Sequence, residues 1–191
     1  VDLLSLELEQ DPDGNPNQQS NATDFDVLDD GSVLIANAGC NCLMAWSAAD
    51  GLSIAAAWDF DGDNPVPTSV EVGPDGDIYV GFLTGFPWPA EGSRIERWSG
   101  GELVQTYSGL TAITGLLVTD DGTIYATEFG VFEQGWSPGR VVMVGEDGTI
   151  TPVLAGLTTP FGLAQAPDGT IAVAVGSTGA DDGMIITVPM S

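Results

Sequence analysis

The sequence predicts an all-β fold, a β-propeller with about four blades of four antiparallel strands. Three observations predict it: Asp-Gly pairs recur at a nearly constant interval, short apolar runs flank each pair, and a third run follows each pair, with a second turn leading to a fourth run in the first three units. Four strands in a repeating unit of about 45 residues are typical of a propeller blade. No stretch combines helical periodicity with capping residues, so no helix is expected.

The Asp-Gly pairs set the period. They begin at Asp30, Asp75, Asp121 and Asp168, at spacings of 45, 46 and 47 residues. Each pair lies between two apolar runs, as a tight hairpin turn would. The runs after the turns are rich in Val, Ile and Ala, which indicates strands buried on both faces. These runs span residues 33–36, 78–80, 124–126 and 171–175.

The remaining runs define the blades. Third strands are predicted at 43–46, 94–98, 141–144 and 184–188, and fourth strands at 52–58, 103–107 and 150–154. The chain is therefore expected to form one propeller domain, with 1–20 as an outer strand and loop. The blades would span 21–58, 66–108, 111–155 and 158–191.

Residues 3–9 are predicted to be a strand that protects a sheet edge. In one arrangement this strand pairs with 184–188, supplies the missing fourth strand of the last blade and closes a four-bladed ring. In the other it is the outer strand of a preceding blade. We prefer the second arrangement.

The charge balance excludes several classes of function. The 191 residues include 28 Asp and Glu, only three Arg, and no Lys or His, for a net charge of −25. Such a chain cannot neutralise nucleic-acid phosphates or dock on anionic lipid. No apolar run approaches the length of a membrane span. The charge indicates either adaptation to saline surroundings or specific binding of divalent cations.

Cys40 and Cys42 are the only cysteines. In an oxidising compartment they could form a local disulfide; otherwise they are small apolar strand residues. We predict the second.

Two acidic loops are candidate Ca²⁺ sites. Carboxylate or amide side chains occupy alternate positions in each, as in calcium-binding turns, but a closing Glu is absent from both. The alternative is a pair of solvated polar turns. The candidate ligands are Asp59, Asp61 and Asp63 in one loop and Asp11, Asp13 and Asn15 in the other.

The loops after the second strands should surround the mouth of the central channel. They begin at Asn37, Thr84, Glu128 and Ser177. A metal held there could activate water, with Glu128 the best single candidate. Alternatively, these side chains satisfy backbone groups at the channel mouth. The absence of His disfavours catalysis.

Two of these loops are aromatic. Phe86 and Trp88 lie in one, and Phe132 and Trp136 lie in the loop of the next blade. Clustered loop aromatics indicate a surface that binds a protein or an apolar ligand. The alternative is a lid that packs over its own blade.

Several segments resemble the ScyD/ScyE family of secreted bacterial propellers. The resemblance is strongest at residues 67–76, 79–89 and 92–95, and includes Asp-Pro-Asp-Gly at 11–14. It covers most of the chain and implies a secreted, six-bladed ring whose first two blades precede this chain. The family has no firmly assigned catalytic residues, so the resemblance implies fold and secretion, not chemistry.

The sequence therefore favours a secreted, non-catalytic binding or assembly module. It is expected to have a protein partner or further N-terminal blades, possible stabilisation by Ca²⁺ and no organic cofactor. A metal-dependent, lactonase-like hydrolase is the first alternative. A purely structural subunit of an extracellular assembly is the second.

Overall fold

The computed structural model describes residues 1–60, 64–179 and 181–188. Within these residues the chain forms one helix and fifteen strands. The helix is α1 (Leu3–Gln10). The strands are β1 (Ala22–Val27), β2 (Val33–Asn37), β3 (Cys42–Ser47), β4 (Gly51–Ala57), β5 (Pro67–Val72), β6 (Ile78–Phe82), β7 (Ser93–Ser99), β8 (Glu102–Leu110), β9 (Ile113–Val118), β10 (Ile124–Glu128), β11 (Gly139–Val144), β12 (Ile150–Leu157), β13 (Leu163–Gln165), β14 (Ile171–Val175) and β15 (Met184–Val188).

The strands form four antiparallel sheets in chain order, which confirms the predicted propeller blades. Their strand orders are β1-β2-β3-β4, β5-β6-β7-β8, β9-β10-β11-β12 and β13-β14-β15. The Asp-Gly pairs turn the chain between the first and second strand of each blade. All four of these glycines have positive φ, between 80° and 86°, a conformation that glycine adopts without steric cost. The aspartates accept a hydrogen bond from the N–H two residues further on, at 2.9–3.2 Å.

Apolar cores lie between successive blades. Side chains of the first and second blades pack around Val80 and Phe82, those of the second and third around Ile95 and Leu116, and those of the third and fourth around Val173. The first strands β1, β5, β9 and β13 are neighbours in that order. The blades therefore stack side by side around an axis, as in a propeller.

A repeated threonine joins the first strands, and the strand pattern did not reveal it. In three blades, a hydroxyl at the start of the first strand donates to a carbonyl of the next blade. The pairs are Thr23 to Pro67 at 3.5 Å, Thr68 to Ile113 at 2.8 Å, and Thr114 to Pro160 at 2.9 Å.

The strand prediction for residues 3–9 is wrong, because these residues lie in helix α1. Leu4, Leu6 and Leu8 alternate with polar residues, which suggested a strand. Two local features favour the helix instead. The Asp2 carboxylate caps it by accepting from the Ser5 N–H at 3.1 Å, and Leu3 and Leu6, three residues apart, pack on the first blade. Neither predicted strand pairing of this segment is therefore formed.

The four blades form an open arc within the described residues. Apolar clusters join each blade to the next, but none joins the fourth blade to the first. On β1, Phe25 is 65% exposed and Val27 is 53% exposed. The residues at the position of Phe25 in the next two blades, Val70 and Leu116, are buried in interblade cores. This face of the first blade therefore has the composition of an interblade core. Helix α1 covers its part around Met44, while Phe25 and Val27 at its inner edge stay exposed.

Candidate functional site

The candidate binding face is the end of the arc opposite the Asp-Gly turns. Because every sheet is antiparallel, the loops that follow the second strands all lie at this end. The predicted channel-mouth residues and the predicted partner-binding aromatics are all in or beside these loops.

Five aromatic side chains form one cluster that spans the second and third blades. Trp88 lies at its centre, with ring centroids 5.2 Å from Phe86, 5.0 Å from Phe132 and 5.1 Å from Trp136. Phe132 and Trp136 are 5.1 Å apart. All five ring pairs of the cluster are T-shaped or tilted, arrangements that add to the energy of simple burial.

Phe129 anchors the cluster and was not predicted. Its ring lies 4.7 Å from that of Trp136 and is buried. It directly follows β10, in the loop predicted to begin at Glu128, but it was not counted among the loop aromatics. Above it, Trp88, Phe132 and Trp136 are half-buried and Phe86 is 76% exposed. The cluster therefore has a packed base and an exposed rim.

Asn37 and Glu128 are the two channel-mouth residues best suited to hold a metal. Both are buried, and their side chains already make hydrogen bonds or ion pairs within the protein. The Asn37 Oδ1 accepts from the N–H groups of Asn21 and Gly39, at 2.8 and 3.1 Å. The Glu128 Oε1 accepts from the Thr111 N–H at 2.7 Å, and its Oε2 pairs with the guanidinium of Arg140. These contacts match the alternative in which the side chains satisfy backbone groups at the channel mouth.

The other two channel-mouth residues differ from each other. The Ser177 hydroxyl donates to the Thr159 carbonyl at 2.8 Å. The Thr84 hydroxyl is buried and has no hydrogen-bond partner among the described residues. Within those residues, no three His, Cys, Asp or Glu side chains are grouped so that they could hold a metal ion.

The fold brings the two acidic loops together. The Asp13 carbonyl accepts from the Phe60 N–H at 2.9 Å. The Asn41 Nδ2 donates to the Asp13 Oδ2 at 2.8 Å and to the Asn64 Oδ1 at 2.9 Å. Asp13 and Asn15 are buried, whereas Asp11 is exposed. Asp59 is described and exposed, but its two proposed co-ligands, Asp61 and Asp63, lie outside the described residues.

Helix α1 places Glu7 beside the loop at 11–15. Glu7 is fully buried, and neither carboxylate oxygen makes a well-formed hydrogen bond with the described residues. Burial raises its pKa above the ordinary value, the negative charges of Asp13 and Asp11 raise it further, and the backbone N–H of Gln19, which approaches the carboxylate, partly opposes this rise. Sequence reasoning missed Glu7 because it lies upstream of the loop, in a segment interpreted as a strand.

Cys40 and Cys42 form a disulfide, so the prediction of free strand cysteines is wrong. Asn41 between them adopts a left-handed conformation, with φ 45°, and brings the two Cα atoms to 5.2 Å, within the range of a disulfide. Asn tolerates this conformation better than most residues. The disulfide closes the β2–β3 loop of the first blade.

All three arginines are engaged in ion pairs. Arg94 pairs with Glu96 and Arg97 with Asp75 and Asp77, in each case at 2.6–2.7 Å, while Arg140 pairs with Glu128. No arginine therefore compensates the acidic group around Glu7.

Comparisons with known proteins support the fold alone. No family model and no curated protein match the chain. One similar solved structure is an inactive mutant of virginiamycin B lyase from Staphylococcus aureus with quinupristin. It is 16% identical to this chain with a TM-score of 0.59, and the match covers 92% of this chain and 58% of the lyase chain. A glucose dehydrogenase-like protein from Thermus thermophilus is 18% identical with a TM-score of 0.64, covering 88% and 62%.

A chain of the nidogen–laminin complex is similar to the same extent, with 14% identity and a TM-score of 0.62, covering 82% of this chain and 57% of its own. The chain thus spans less than two thirds of the length of each of these proteins. At such low identity, enzymes and a binding protein share the fold, so the fold does not decide the function. None of the described helices has the length and apolar character needed to span a membrane.

Proposed function

We propose that the chain is part of a secreted, non-catalytic β-propeller that binds a protein partner through the five-ring cluster. The observation that carries this proposal is the cluster itself: aromatic loops of two blades meet, with a buried anchor at Phe129 and an exposed ring at Phe86. Exposed aromatic side chains around a packed centre are the usual energetic centre of a protein interface.

The charge around the cluster defines the partner's chemistry. Glu91 and Glu133 lie in the same two loops and are exposed, and the net charge of the chain is −25. The complementary surface is an apolar anchor flanked by Lys or Arg, because opposite potentials steer association and like charges oppose it.

The disulfide supports secretion to the extracellular space or periplasm, since disulfides persist in oxidising compartments. The hydrolase alternative has less support, because Asn37 and Glu128 already hold backbone and guanidinium groups.

The binding surface is tested with Phe86→Ala. Peptides selected on the wild-type chain from a displayed random library should be rich in Lys, Arg and apolar residues. They should bind Phe86→Ala at least about tenfold more weakly. Because Phe86 is 76% exposed, its removal leaves the fold intact.

Leu103→Ala is the matched control, since Leu103 is also an exposed apolar side chain but lies on the outer strand β8. Its peptide affinities, measured by surface plasmon resonance, should equal those of the wild type. Peptides that discriminate against Leu103→Ala but not against Phe86→Ala would contradict the proposed site.

We further propose that Phe25 and Val27, on the part of the first blade that helix α1 leaves exposed, are covered by another propeller blade. Phe25 and Val27 occupy positions that are filled in the next blade by Val70 and Val72, which pack in the interblade core. The resemblance to the ScyD/ScyE family, which implies two preceding blades of a six-bladed ring, supports the same occupant. So does the greater length of the similar structures.

Cysteine labelling tests this packing. In the variant Phe25→Cys, alkylation should be at least about tenfold slower in the protein as its source cell secretes it than in the 191-residue chain. Leu103→Cys, on the exposed outer strand β8, should react at equal rates in both. Equal, fast labelling of position 25 in both proteins would disprove a covering blade. Slow labelling in both, with a dimer in sedimentation velocity, would show that a second copy covers the face instead.

A further inference from the structure

A cleft of about 470 Å³ lies between the second and third blades, at the Asp-Gly end of the arc. Its volume is within the range of small-molecule sites, about 300–1,000 Å³. The first turn of the second blade forms one wall, and the two turns of the third blade at this end form the other. The cleft is therefore opposite the five-ring cluster and is independent of the binding surface proposed above.

Two buried tyrosine side chains of the second blade line the cleft. Tyr79 of β6 and Tyr107 of β8 are 4% and 2% exposed, and both belong to the core between the second and third blades. A buried tyrosine hydroxyl usually has a hydrogen-bond partner, but the Tyr79 hydroxyl has none among the described residues. Burial raises the pKa of Tyr79 to about 12, so the hydroxyl is neutral at pH 7 and can both donate and accept. It is therefore available to a bound group.

The polar lining of the cleft is acidic. Arg97 is the one basic residue among the described lining residues, and its guanidinium pairs with Asp75 at 2.7 Å and with Asp77 at 2.6 Å. The turns of the third blade add three exposed carboxylates, none of which pairs with an arginine of the described structure. These are Asp120, Asp121 and Glu146. The cleft therefore has an excess of negative charge, which attracts a cation.

The third blade also gives the cleft an apolar wall. Ile124 and Val144 are buried there, and Met143 is half-buried. A methylene chain can pack on such a wall while its charged end stays among polar groups. The carboxylates themselves are not grouped for a metal ion, since no three acidic side chains of the described residues are placed to hold one. The lining therefore fits a cation that carries a hydrocarbon chain.

We propose that this cleft binds an alkylammonium group, which a linear polyamine and a lysine side chain both carry. The ammonium group would donate a hydrogen bond to the Tyr79 hydroxyl and lie among the carboxylates of the third-blade turns. Its methylene chain would pack along Ile124 and Val144. Each part of the ligand thus meets a part of the lining that has no other partner in the described structure.

Isothermal titration calorimetry with spermidine and with N-acetyl-lysine methylamide tests the site, in about 150 mM NaCl to screen general attraction to the −25 charge. The wild type should bind at least one of them saturably, with one molecule per chain. Tyr79→Phe, which removes only the hydroxyl, should bind it at least about tenfold more weakly. Tyr125→Phe is the matched control, because Tyr125 is also buried but lies in the core between the third and fourth blades. It should bind as the wild type does.

The carboxylates are tested separately. Glu146→Gln removes one negative charge from the cleft and should weaken binding by about threefold or more. Glu133→Gln removes the same charge from an exposed loop at the other end of the arc, so its affinity should equal that of the wild type.

Each outcome decides the proposal. Of the two compounds, the one that binds more tightly identifies the source of the ammonium group as a free polyamine or a lysine of a protein. Absence of saturable binding of both up to about 10 mM overturns the proposal. Equal affinities of Tyr79→Phe and the wild type also overturn it, since the general negative charge of the surface would then hold the ligand. If Tyr79→Phe loses its far-UV circular dichroism, the comparison of Glu146→Gln with Glu133→Gln decides instead, and equal binding by those two variants overturns the site.

Discussion

Glu71→Gln is expected to stabilise the folded chain by about 2 kcal/mol near pH 9 and to have little effect near pH 4. Glu71 lies on β5, half-buried between blades. Burial raises its pKa to about 8, and the charges of Asp26 and Asp24 on β1 contribute further. These two carboxylates face β5 and accept from the N–H groups of Val72 and Val70, at 2.8 and 3.1 Å.

The sign follows from proton linkage. Between its ordinary pKa of 4.5 and the folded value of about 8, the folded state keeps the Glu71 proton that the unfolded chain has lost. Stability therefore falls as pH rises through this window, and Gln, which stays neutral, does not show the fall. The full shift corresponds to roughly 5 kcal/mol, and we expect about half of this because solvent reaches part of the side chain.

Urea unfolding of both proteins at several pH values measures the difference. Glu102→Gln, an exposed change on β8, controls for the loss of one negative charge from a very acidic chain. If Glu71→Gln and the wild type lose stability in parallel between about pH 5 and pH 9, Glu71 does not titrate in this window.

The propeller was predictable because its signals are local and repeated. A glycine with positive φ after an aspartate marks each first turn, and strands buried on both faces give continuous apolar runs. Helix α1 was not predictable from the same pattern. Eight residues give too short a window for periodicity to separate a helix from a strand. The packing of Leu3 and Leu6 against the buried cluster of Cys40, Cys42 and Met44 decides it.

The sequence predicted which types of residue form the candidate sites, but it did not predict which of these residues contact one another. The four loop aromatics were identified from their order in the chain, and they lie together because adjacent blades present corresponding loops at one end. Glu7 was missed because it lies upstream of the acidic loop, in a segment interpreted as a strand. Phe129 lies in a predicted loop, but residue type does not reveal that its ring is the buried base of the cluster. The disulfide between Cys40 and Cys42 depends on the left-handed conformation of Asn41. An Asn at this position is compatible with that conformation but does not impose it, so the sequence did not predict the disulfide.

Glu128→Ala is expected to destabilise the fold by about 3 kcal/mol, because it leaves the buried Thr111 N–H without an acceptor and opens a cavity. The side chain of Glu128 is buried, its Oε1 accepts from Thr111, which precedes β9, and its Oε2 pairs with Arg140 of β11. One carboxylate thus links three segments of the third blade. Arg140 is partly exposed and can be rehydrated, so most of the loss comes from the Thr111 N–H and from the cavity.

Glu128→Gln separates a structural from a catalytic role. Gln keeps an acceptor for the Thr111 N–H and should destabilise by only about 1 kcal/mol, whereas a general base or metal ligand would be lost as completely as in Glu128→Ala. Glu133→Ala, in the exposed loop that follows, should be neutral in stability. Denaturant unfolding gives the three stabilities, and hydrolysis of a panel of simple lactones gives any activity. If the wild type hydrolyses a lactone and both Glu128 variants lose that activity while keeping wild-type stability, Glu128 acts in catalysis and the hydrolase alternative replaces the binding module.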